Sequence, residues 1–99
     1  MPICAQIDAL KPVSHVASGF DRSPSNGALI VAGTRNGAPK YQTAGGDFVT
    51  LENSGLNWFF YNMDPDIYGP SASPQYEGGS NLTDPYMPQP PNMTAGTVS

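Results

Sequence analysis

Cysteine, histidine and tryptophan each occur once in this chain of 99 residues. A single cysteine, Cys4, excludes an internal disulfide. Cys4 and His15 are the one combination that could make a thiol–imidazole nucleophile, but no pattern around them supplies a third, orienting group, and His15 reads as an ordinary strand residue. Charge is scarce as well: charged residues make up 12%, about half the usual share. No apolar run approaches the roughly 20 residues of a membrane helix. The opening Met1-Pro2-Ile3-Cys4 lacks a basic region followed by an apolar core, so a secretory signal is not expected. The expectation is a soluble chain without a disulfide.

Positive charge is missing from most of the molecule. Residues 1–40 carry Lys11, Arg22, Arg35 and Lys40 against Asp8 and Asp21, a net +2, whereas residues 41–99 carry six acids and no Lys or Arg, a net −6. A phosphate-binding surface needs the opposite sign, so nucleic acid is not an expected partner. A basic protein surface is, and the front half of a neighbouring copy would provide one. The same acids would also keep an extended tail in solution.

Catalytic and cofactor signatures are missing too. Gly45-Gly46 and Gly78-Gly79 are not followed by a Lys in a strand-to-helix loop, so neither is a phosphate loop. Asp64, Asp66 and Glu77 offer oxygen ligands for a hard cation, but without the spacing of a calcium loop. Asp before Pro reads better as a turn. Two sequons, Asn81-Leu82-Thr83 and Asn92-Met93-Thr94, read as chance without a signal peptide. No enzyme, metal or cofactor is expected.

What the sequence does have is concentrated in residues 46–63, GDFVTLENSGLNWFFYNM, which hold the only Trp and three of the four Phe. Asp47–Leu51 and Leu56–Asn62 have the β-branched and aromatic content of strands. The turn Glu52-Asn53-Ser54-Gly55 between them suits a hairpin. Alternation puts Leu56, Trp58 and Phe60 on one face and Asn57, Phe59 and Tyr61 on the other. Both faces are therefore aromatic. Either the strand is buried on two sides in one domain, or Phe59 and Tyr61 meet another subunit, because aromatics are enriched in interface cores.

Upstream, Ile3, Ile7 and Leu10 between Pro2 and Pro12 fit a short helix or an extended arm. Residues 13–20 read as a modest strand and residues 21–27 as a loop. Ala28–Ala32 is a continuous apolar run, expected as a buried strand. Asn36-Gly37 is a strong hairpin signal. Ala38–Thr43 would be the returning strand, with Pro39 placing it at an edge. The expected fold is mainly β: an antiparallel meander of about five strands over residues 13–63, forming a small sandwich or open barrel, preceded by an arm or helix at residues 1–12.

Residues 64–99 contain seven Pro and show neither helical periodicity nor sustained alternation. Such composition favours extended polyproline II, so this segment is expected as a long Pro/Gly-rich arm. It has few large apolar side chains to offset the cost of ordering its backbone. Contacts with other molecules would then have to hold it, with Ile67, Tyr68, Tyr76, Leu82, Tyr86, Met87 and Met93 as anchors beside Phe59 and Tyr61. A domain of about 60 residues has a marginal core, and oligomerisation is a common remedy.

The function expected from these observations is structural and non-enzymatic. It is that of a small component of a large symmetric assembly, a virion cement or decoration protein whose arm straps the major subunits, itself a dimer or trimer. The expected location is the virion, or otherwise an extracellular or cytoplasmic assembly. The alternative function is a small β binding module that uses Trp58, Phe59 and Tyr61 as an aromatic platform for glycan or Pro-rich peptide.

Overall fold

The computed structural model describes residues 15–99. The expectations for residues 1–14, including the arm or helix at 1–12 and the Cys4 half of the Cys4–His15 pair, lie outside them.

Strand pairing starts from the local signals. β1 (His15–Ser18) and β2 (Gly27–Arg35) flank a loop with a 3-10 turn at Ser23–Ser25. The Asn36-Gly37 turn then returns the chain into β3 (Ala38–Thr43), with Arg35 opposite Ala38. Both turn residues have positive φ, 55° and 78°, as a two-residue turn that matches strand twist requires. β4 (Phe48–Glu52) and β5 (Asn57–Tyr61) form the central hairpin, closed by Asn53, Ser54 and Gly55, all at positive φ. These five strands are an antiparallel meander, as the sequence predicts.

The sheet does not stop there. After α1 (Pro65–Tyr68), a single turn capped by Asp64, the chain adds β6 (Pro74–Glu77) beside β5 and β7 (Met87–Pro88) beside β6. It then crosses to the opposite edge, where β8 (Thr97–Val98) pairs with β1. The order is β7-β6-β5-β4-β3-β2-β1-β8, one antiparallel sheet curled into a half-barrel. Laid flat, seven gaps between eight strands would separate the edges by about 34 Å. The linker from Pro88 to Thr97 spans at most about 32 Å fully extended, and it contains a turn at residues 91–92. The connection therefore requires the sheet to curl.

The expected extended arm is thus replaced by an inward fold. Its sparse large side chains suffice because the meander supplies what they pack against. Phe20, just after β1, sits 4.7 Å from the Phe60 ring, 4.7 Å from Tyr76 and 5.8 Å from Tyr86. Phe60 and Tyr86 meet edge to face at 5.1 Å, a favoured aromatic geometry. Leu82 and Val98 complete this buried cluster, with Met93 and Ala95 packed against it. The Tyr76 hydroxyl accepts the Arg22 backbone N–H at 2.9 Å, joining the first loop to β6. The Tyr86 ring lies so close to Gly78 that a Cβ there would sit 2.8 Å from it.

A second tie holds the early loop to the β3–β4 turn. Asp47, almost fully enclosed, accepts from Arg22 Nε at 2.8 Å, from a second Arg22 nitrogen at 3.0 Å and from Ser25 Oγ at 2.6 Å. The bonds from Arg22 to Asp47 hold the Arg22 pKa above its ordinary value. Thr43 Oγ1 donates to the Pro24 carbonyl and accepts the Gly46 and Asp47 N–H groups.

Two further expectations need correction. β3 is not an edge strand, since it lies between β2 and β4. Pro39 is tolerated because the β3–β4 ladder covers only Tyr41 and Gln42, so its missing N–H costs no bond on that side. Nor is the 28–32 run buried as a whole. Leu29 is, but Ile30 and Val31 are 63% and 54% exposed. Among the described residues the fold is a single curled layer, and the described part of the β1 ladder reaches β2 as far as Leu29.

Candidate interaction surface

The half-barrel has a concave face that carries the core and a convex face that does not. The register sorts residues between them. Val49, Phe60 and Tyr76 lie side by side on the concave face. One residue along, Thr50, Phe59, Glu77 and Met87 form a row on the convex face, in strands β4, β5, β6 and β7. Tyr61 follows on the same face, opposite Phe48.

Phe59 and Tyr61 are both half-buried and stack on one another, with centroids 5.9 Å apart and planes at 18°. Beside them the charged side chains close into a network. Lys40 Nζ donates to both Asp64 oxygens at 3.1 and 3.0 Å and to Asp66 Oδ2 at 2.8 Å. Arg35 pairs with Glu52 through two nitrogens at 2.7 and 3.2 Å and also reaches Asp66 Oδ1. Thr50 Oγ1 donates to Glu52 Oε2 at 2.7 Å. The Asp64-Pro65-Asp66 sequence explains the acidic side. Asp64 accepts the Asp66 N–H at 2.9 Å as the N-cap of α1, and Pro65 fits the first helical position. Of the three carboxylates considered for a metal, Asp64 and Asp66 are thus occupied by an ammonium and a guanidinium, while Glu77 lies apart from them on β6.

The electrostatics follow from these contacts. Hydrogen bonds to Asp66 and then Asp64 raise the Lys40 pKa, bonds to Glu52 and then Asp66 raise that of Arg35, and the bond from Lys40 holds Asp66 below its ordinary value. Burial, followed by the nearby Glu52 anion, pushes the Tyr61 phenol up. Two cations against three carboxylates leave the network with one net negative charge.

The partner residues expected from the sequence divide into two groups. Tyr76, Leu82 and Tyr86 are enclosed in the chain's own core, and Met93 is packed against it, so none of the four presents a free side chain to a partner. Phe59 and Tyr61 lie on the convex face, where Met87 is 60% exposed. Ile67 and Tyr68 project from α1 at 73% and 55% exposure. The platform of Trp58, Phe59 and Tyr61 is split by the sheet. Trp58 is buried on the concave side, where its ring lies 6.0 Å from Tyr41. His15 meets the other side of that row, also 6.0 Å from Tyr41.

Sequence reasoning missed the ion network. Its one available signal was the scarcity of charge, because a chain with so few cations rarely leaves one buried without a carboxylate. Comparison with known proteins adds no relative: no protein-family model, no curated protein and no solved structure matches this chain.

Proposed function

We propose that this protein is a non-enzymatic structural component of a large symmetric assembly, a cement or decoration protein of a virion, which docks on the major subunits through the convex face of its sheet. The observation that carries this reading is the placement of one group of large apolar side chains outside the core, apart from the exposed Val16, Ile30, Val31 and Leu56. Phe20, Phe60, Tyr76 and Tyr86 are buried in the chain's own core, yet Phe59, Tyr61 and Met87 stay on the convex face, with Ile67 and Tyr68 exposed on α1. A set of exposed apolar residues of this kind suits a protein contact. Many modest contacts repeated by symmetry would sum through multivalency, and a dimer or trimer would multiply them again.

Residues 64–99 can reach a neighbour in one way that keeps their observed contacts. The 89–99 segment would leave its own β1 and seat on that of a second copy, where the same partners are available. Ser18→Cys with Thr97→Cys, in a Cys4→Ser background, tests this, because the two residues are register partners at a strand spacing a disulfide can bridge. Linked dimers or larger rings on a non-reducing gel support exchange; linked monomers alone remove it.

For the docking face, Phe59→Ser with Tyr61→Ser should shift the free protein toward smaller species in sedimentation and lower its incorporation into the assembly. An unchanged profile and unchanged incorporation would refute it. The alternative binding module keeps one supporting feature, the stacked Phe59–Tyr61 pair. Saturable calorimetric binding of a glycan or Pro-rich peptide by the monomer, lost in the same double variant, would favour that module.

A further inference from the structure

The docking face carries an unbalanced charge. Every cation among the described residues is claimed within the chain: Arg22 by Asp47, Arg35 by Glu52 and Asp66, and Lys40 by Asp64 and Asp66. Glu77 makes no side-chain hydrogen bond or ion pair among the described residues. It is half-buried in the convex row, flanked in register by Phe59 and Met87. A carboxylate partly shielded from water by apolar neighbours gains from a cation brought to it. The aromatic pair next to it has the chemistry to hold the same group, because ring faces attract cations and a guanidinium also stacks on them. The network beyond Thr50 adds a net negative charge on the same face.

We infer that Phe59, Tyr61 and Glu77 form a docking site for an arginine- or lysine-bearing segment of a partner protein. The guanidinium or ammonium lies on the Phe59–Tyr61 rings and pairs with Glu77, while the segment's apolar residues meet Met87. The described cations of a second copy are committed internally, so a segment of another protein is the occupant put to the test. This inference rests on the docking face proposed above and names the partner's chemistry.

Titration calorimetry of the full chain with an Arg-Gly dodecapeptide, its Lys-Gly counterpart and a Glu-Gly control tests it. Saturable binding is expected for the first two, tighter for Arg-Gly, and none for Glu-Gly. Phe59→Leu with Tyr61→Leu, which keeps apolar bulk in place, should weaken binding about two- to five-fold. Glu77→Gln should weaken it at least as much, whereas Asp21→Asn, the same charge change in the loop after β1, should not. Equal effects of Glu77→Gln and Asp21→Asn would reduce the effect to general charge attraction and overturn the site, as would the absence of saturable binding. If Phe59→Ser with Tyr61→Ser abolishes incorporation while Glu77→Gln incorporates normally, the docking face stands and the cation site falls. If the peptides bind at this site while incorporation is unaffected by either variant, the site stands and the assembly role falls.

Discussion

The meander of residues 15–61 and the segment of residues 64–99 share one sheet but are built differently. In the meander each strand pairs with its neighbour in sequence, and the β2–β3 and β4–β5 ladders each run over five residue pairs. In the later segment the strands have four, two and two residues, and β8 pairs with a strand about eighty positions earlier. The meander is held by neighbours in sequence. The later segment is held by separate anchors, Tyr76, Leu82, Tyr86 and Val98, seated in a core whose other half the meander provides. A segment too poor in apolar residues to fold alone can thus be ordered within its own chain.

The largest expected effect comes from removing one side of this comparison. A chain ending at Met63 loses the Tyr76, Tyr86 and Leu82 contacts and the outer neighbours of β1 and β5. It should lose its cooperative thermal transition in circular dichroism. A sigmoidal melt in the truncated chain would show that the meander is independent after all.

Next is the tie between the early loop and the β3–β4 turn. Asp47→Ala strands Ser25 Oγ and the Arg22 guanidinium, and should cost about 3–5 kcal/mol in urea unfolding. A loss below about 1 kcal/mol would mean that Arg22, which is partly exposed, finds water instead.

A smaller and more local effect is expected at Gly96. A Cβ there would overlap the Ser18 carbonyl and lie 2.5 Å from the Phe20 nitrogen. Gly96→Val should detach β8 and speed hydrogen exchange at Val16 and Ser99, which exchange two backbone bonds of 3.0 Å, while leaving the β4–β5 amides protected. Uniform loss of protection would show that the anchors act as one unit.

The smallest effect is in pH dependence. Asp66 titrates below its ordinary 3.8 because Lys40, and then Arg35, bond its anion. A group lowered in the fold stabilises it fully above 3.8, and that contribution disappears as pH falls through the lowered value. Lys40 is raised from 10.5, so its contribution is full below 10.5 and lost as pH rises through its folded value. Asp66→Asn should flatten the acid limb of a stability–pH curve. Parallel limbs would place this exposed part of the network in effective solvent.

The legible part of the molecule was the local part. Asn36-Gly37, the Glu52–Gly55 turn and the alternation through Trp58, Phe59 and Phe60 gave the hairpins and the faces their residues occupy. The core positions of Tyr76 and Tyr86 are not legible, because no periodicity surrounds them and their partners Phe20 and Phe60 lie far away in sequence. The exposure of Ile30 and Val31 is not legible, because an apolar run does not say whether a second layer covers it, and among the described residues none does. On the candidate surface, Phe59 and Tyr61 were visible from alternation alone. Glu77 was not, because its place beside Phe59 depends on the β5–β6 register.

The pairing of β8 with β1 also sets an order of events during synthesis. Residues 15–18 emerge from the ribosome about eighty residues before their outer neighbour, residues 97–98, has been made. In the interval the nascent sheet has an unguarded flank, and contacts so distant in sequence form slowly.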